Sequence, residues 1–195
     1  MTAPKMIMYS IDFGRRMYTV LFLVCVLAAA IDLGLRREFN LPGQYAAVLA
    51  LVFFLIFFYL FDKFLWKLPG FRILNYGMVN VAGEWKGTIT QATGEGPKPL
   101  PATLVIAQTW STIGLLLTTE QAVSQAVMAQ LLGADPAAIK LSWTYRIEGS
   151  NAKSLADPGQ GVIELTLTRG PQQMQFEGSF FSSQLDDHLA LVRQG

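Results

Sequence analysis

The sequence predicts a membrane-anchored all-β protein, with two N-terminal transmembrane helices followed by a small eight-stranded, antiparallel, up-and-down β-barrel. Three observations predict it. Two uncharged apolar runs lie within the first 61 residues. Behind them, Gly83-Glu84-Trp85-Lys86-Gly87 opens a series of short runs rich in Val, Ile, Leu and Thr. Turn residues separate these runs and no helical pattern intervenes, so neighbours in sequence should pair antiparallel. The chain divides into a two-helix anchor (1–67), a connector (68–80) and a barrel (81–195).

Composition supports the division. At 52% hydrophobic and 15% charged, the 195-residue chain is too apolar for a simple soluble domain. Residues 1–76 carry eight Lys/Arg and four Asp/Glu; the remainder carries seven (15 − 8) and ten (14 − 4), a net charge near −3. A groove tracking long DNA or RNA needs rows of cations, so a polymeric nucleic acid is not an expected partner. A small anionic ligand held by one or two arginines stays open. The single cysteine, Cys25, lies in an apolar run and can form no internal disulfide. The single histidine, His188, excludes a His-rich zinc site and, beside Asp186 and Asp187, reads as part of a solvated turn. There is no P-loop and no nucleophile elbow, and neither Glu84 nor Glu120 has a paired base or metal ligand nearby in sequence. No catalysis, metal or cofactor is expected.

The lead carries Lys5, Arg15 and Arg16, and residues 17–31 are uncharged. Counted on to Leu35, the run of about 19 residues suffices to cross a hydrocarbon core about 30 Å thick. Ala28-Ala29-Ala30 behind a basic lead also satisfies a cleaved signal peptide, an alternative weakened by the second apolar run that follows. Leu41-Pro42-Gly43 marks the turn. Residues 45–61 are uncharged and rich in Phe, the strongest transmembrane signal in the chain. Ala46, Ala47 and Ala50 form a small-residue patch at its start, either a helix contact or filler. Asp62-Lys63-Phe64-Leu65-Trp66-Lys67 mixes aromatic and basic residues as an interfacial belt does. Lysines and arginines flank the pair of spans more densely than they occupy the Arg36-Arg37 loop. The positive-inside rule therefore predicts a multi-pass membrane protein with the barrel and both termini in the cytoplasm.

Leu68-Pro69-Gly70 breaks the second helix. Glycines on either side of Trp85 allow a first strand to curl while the indole fills one end of a barrel. Residues 93–99 read as a loop, 102–109 and 111–120 as strands joined with almost no turn, and 124–132 as an ambiguous segment that its neighbours turn into a strand. Along 139–148, Ile139, Leu141, Trp143, Tyr145 and Ile147 share one face. Residues 161–169, 174–180 and 189–193 complete about eight strands, with turns at 133–138, 149–160 and 170–171. Eight strands enclose space for side chains or one small ligand.

Leu68-Pro69, Gly83-Glu84-Trp85-Lys86-Gly87, Ile106-Ala107-Gln108-Thr109-Trp110, Trp143-Thr144-Tyr145 and the 176–183 segment, set behind two spans and a short connector, resemble the two-transmembrane, β-strand-rich effectors of bacterial CBASS antiphage systems. The resemblance covers almost the whole chain as an arrangement. It implies a cytoplasmic barrel that receives a cyclic di- or trinucleotide made by a cGAS-like nucleotidyltransferase, followed by homo-oligomerisation and disruption of the inner membrane lipid to abort phage infection. Bases stack on aromatic planes and phosphates take arginine or backbone donors. The candidates are thus Trp85, Trp110, Trp143, Tyr145 and Phe180 for stacking, and Gln108, Thr118 and Ser124 for hydrogen bonds. Arg146 lies on the opposite strand face from Tyr145 and reaches a ligand only at a barrel mouth or subunit interface; Arg169 and Arg193, at strand ends, share that limit. The alternative is a membrane-anchored, lipocalin-like binder of a small apolar ligand, which the aliphatic face of Ile163, Leu165 and Leu167 would suit.

Overall fold

The computed structural model describes residues 3–8, 14–39, 42–71, 78–93, 96–120, 122–132, 139–148, 160–169, 174–182 and 186–193. The expected turns at 133–138 and 170–171, all but the last residue of that at 149–160, and residues 72–77 of the connector lie outside them. The chain forms two units, Asp12–Met78 and Met1–Ile11 with Val79–Gly195.

In the first unit, α1 spans Gly14–Phe39 and α2 Gly43–Lys63. α1 outruns the expected 17–35 because its charges do not stop a helix. Arg36 is one turn from Asp32 and pairs with it at 2.9 Å, and Arg36 and Arg37 lie in the last turn, where cations suit the unpaired carbonyls. The Pro42 carbonyl accepts from the Tyr45 and Ala46 N–H groups and starts α2. Ala46 and Ala50, one turn apart, are buried, as are Val24 and Phe61; Ala47 is exposed. Much of what remains of both helices is apolar and exposed, including Phe22, Leu33, Leu51, Phe53, Leu55 and Tyr59. Among the described residues one helix, Gln44–Lys63, with mean hydropathy 2.3, is long and apolar enough to cross a membrane; Asp32, Arg36 and Arg37 make α1 the more polar of the two. Short 3-10 turns at Leu65–Lys67 and Pro69–Phe71 follow, and the Lys67 ammonium sits 5.6 Å from the centre of the Trp66 ring.

In the second unit β1 is the two-residue strand Ile7–Met8. Eight longer strands follow: β2 Gly83–Thr93, β3 Gly96–Gln108, β4 Thr112–Thr119, β5 Val123–Leu132, β6 Ile139–Glu148, β7 Gln160–Arg169, β8 Met174–Ser182 and β9 Asp186–Arg193. Each pairs antiparallel with its neighbours in sequence, β9 returns to β2, and β4 with β5 completes the ring. This is the closed, up-and-down, eight-stranded barrel the alternation predicts. Three boundaries differ from expectation. Residues 96–101 extend β3 although Pro97, Pro99 and Pro101 fall there: β4 pairs with β3 only from Ala102 onward, leaving an edge that needs no N–H donors. His188 is no turn residue; it lies in β9 opposite Thr90 and Ser179 with its side chain exposed. The lead contributes β1, which has too few residues to show a periodicity.

Inward positions carry Trp85, Leu104, Leu117, Leu141, Trp143, Ile163, Phe176 and Leu191, all essentially buried. Trp85 and Phe176 meet with ring centres 4.4 Å apart. Gly87 and Gly178 sit where a Cβ would strike the backbone of the adjacent strand, at Ala190 and Glu164 respectively. Only glycine admits so close an approach of the neighbouring main chain.

Candidate functional site

Register assigns the candidate residues to heights along the barrel. At one end lie Gly83, Ile106 to Gln108, the start of β4 and Arg193. β1 pairs there with Thr112 and Ile113, and the 78–82 segment arrives there, so this is the tethered end. At the far end lie the β4–β5 turn, Tyr145 beside Gly161, and Phe180 beside Asp187.

Three candidates belong to the tethered end. The Trp85 indole N–H donates to the Val81 carbonyl at 3.0 Å, and the ring is wholly buried. The Gln108 amide accepts from Val81 N–H at 2.9 Å and donates to Val79 carbonyl at 3.3 Å, pinning the segment that leads into β2. Trp110 is buried in the β3–β4 turn, which Thr109 and Thr112 close by mutual hydrogen bonds. Arg193, from β9, donates to the Ala82 carbonyl at 2.8 Å and stands 5.8 Å over the Trp85 ring, beside Gly83, whose φ of 140° suits glycine alone.

The far end gathers the others. Tyr145 and Phe180 stack with centroids 4.9 Å apart and an interplanar angle of 29°; Tyr145 is buried beneath, and Phe180 is the member partly open to solvent. Gly161, opposite Tyr145, is a residue that the sequence reading passed over. A Cβ there would collide with the tyrosine ring, so glycine makes the seat of the aromatic pair. A glycine inside a strand pattern is the signal that could have found it. Ser124 also points inward here and is buried, while Trp143 occupies the layer below, opposite Ala129 and Ile163. Thr118 and Arg146 lie on the outer face, Arg146 exposed, as the alternation requires. Thr119 and Ala122 close the β4–β5 turn with three reciprocal hydrogen bonds at this rim. The mouth is thus an aromatic face with a hydroxyl inside and a guanidinium outside, suited to a planar ring and, at the rim, to an anion.

The interior below is filled by large side chains. Eight strands enclose an interior that side chains of this size can occupy. Glu84 is ion-paired with Lys86 at 2.9 Å on the outer face, and among the described residues no group of three or more His, Cys, Asp or Glu side chains is placed to hold a metal.

The profile of the Cap15 cyclic dinucleotide receptor domain matches residues 77–189, more than half of the chain and nearly all of the barrel. The chain belongs to the Cap15 family. Cap15 proteins are CBASS effectors, and the matched domain is one that receives cyclic dinucleotides. A comparison with curated proteins gives no match. Among the described residues, the far mouth presents the partly open ring of Phe180.

Proposed function

We propose that the chain is an integral membrane effector whose barrel takes a cyclic dinucleotide at its far mouth, after which liganded copies assemble and breach the bacterial inner membrane. The observation that carries this reading is the separation of ends. The Tyr145–Phe180 pair lies at one mouth, and both places where the chain leaves the barrel lie at the other. A base stacks on Phe180 with Ser124 within the same mouth, and Arg146 meets phosphate at the rim. The pairing of β1 with β4 supports reading α1 and α2 as two spans, with the lead and the barrel on one side of the membrane. The exposed apolar surface of both helices fits lipid, and the Lys/Arg distribution places barrel and termini in the cytoplasm.

The test is thermal unfolding of the full chain in detergent micelles with cyclic di-AMP, cyclic di-GMP and cyclic GMP-AMP. A cognate ligand at about 100 times its Kd should stabilise the native barrel by about 2.7 kcal/mol. One selective shift, accompanied by growth in particle mass, is the expected result. A cooperative melt that none of the three moves would sink the reading.

A further inference from the structure

The barrel's closure is uneven. β4 pairs with β5 only through Leu116↔Gln125, Leu117↔Ser124 and Thr118↔Val123. Towards the tethered end the two strands part, and the β5–β6 register shifts between Ala126 and Met128, leaving Val127 and Met128 exposed. The freed half-edge of β4 is taken by β1, with Ile7 opposite Ile113 and Met8 opposite Thr112. Pro4, Lys5 and Met6 continue over Gly114; a Cβ added there would lie 2.9 to 3.2 Å from them, so only a glycine admits the strap. Gly114 and Leu116 are buried on the outer face of β4, where barrel positions otherwise meet solvent.

The strap itself is held shallowly. It contributes two ladder positions, and of its residues Ala3, Lys5 and Met6 are exposed while Pro4 and Ile7 are only half-buried. Such a segment opens at far smaller free-energy cost than the core strands do. An unpaired β4 edge would then be a template for another strand. Chain order matters as well: the strap precedes α1 in sequence and pairs with the barrel.

We propose that the strap exchanges between copies, so that residues 4–8 of one molecule pair with β4 of the next in the liganded assembly. The occupant is a second copy because its strap is identical to the one already seated. Every contact made at home, including the fit over Gly114, is available in the neighbour at no cost in complementarity. Each molecule donates one strap and receives one, a head-to-tail relation that builds rings or rows from identical contacts. The proposal rests on the ligand-driven assembly read above.

The experiment uses two full-length populations in one nanodisc preparation, both with Cys25→Ser. One carries Met8→Cys and the other Thr112→Cys, the two register partners. A disulfide between differently tagged chains forms through this pair only if a strap has crossed. Adding the dinucleotide that shifts the melt should raise the mixed dimer about tenfold, within the usual range of ligand coupling. Assembly seen by light scattering without the mixed dimer would overturn strap exchange while leaving the assembly reading intact. Absence of assembly with any dinucleotide would overturn both. Deletion of residues 1–8 supplies the second variant: ligand binding should persist with assembly lost, and assembly that survives the deletion would also refute the exchange.

Discussion

Tyr145 and Phe180 come from β6 and β8, with β7 between them, and meet only because Gly161 leaves the intervening strand bare. Each alone is an unremarkable inward aromatic. Their significance as a pair depends on height along the barrel, which alternation in sequence does not encode: it tells which face a residue occupies, not which mouth it is near. Hence Trp85, Gln108 and Trp110 could be named beside Tyr145 and Ser124 although register sends them to opposite ends. Two substitutions separate the groups. Phe180→Ala removes a stacking face, worth about 1–3 kcal/mol per base, and should weaken cyclic dinucleotide binding about tenfold or more in calorimetry while the unliganded melt stays cooperative. Gln108→Ala strips the buried Val81 N–H and the Val79 carbonyl of their partner and should cost about 1–3 kcal/mol in stability with the Kd of folded protein unchanged. Equal loss of affinity in both would place the ligand elsewhere.

The elements were legible in proportion to their length and regularity. β6, with five alternating apolar positions, and α2, apolar from end to end, needed little beyond their own sequences. The prolines of β3 obscured a strand because their effect depends on whether a neighbour exists at that height. α1 ran on past its apolar core through the Asp32–Arg36 pair, and β1 had nothing to announce it but its partner. The glycines on either side of Trp85 have different roles: Gly83 holds a positive φ beside Arg193, whereas Gly87 admits the backbone of β9. Since that neighbour is main chain and cannot swing aside, Gly87→Ala should destabilise the barrel by about 2–3 kcal/mol in denaturant titration. Gly34→Ala, with nothing within 4 Å of the new methyl, is the control and should lose nothing.

At the scale of the whole molecule, charge and hydropathy change character near residue 77, where the matched receptor domain begins. Division of labour follows. A chain starting at residue 77 should still bind the dinucleotide in equilibrium dialysis but leave cells viable when expressed with a cyclic dinucleotide synthase, whereas the full chain should stop growth. Killing by the shortened chain would move the toxic output into the barrel. The packed interior has one further consequence. Trp85, Trp143 and Phe176 are buried inside the barrel, and the rings of Trp85 and Phe176 meet. The strands are the staves that join the barrel's two ends. β9 is one such stave: Asp187 stands beside Phe180 at its head, and Arg193 grips Ala82 at its foot. Close-packed interiors have low compressibility and transmit strain, so β9 is the expected route by which occupancy at Phe180 would be felt at Ala82.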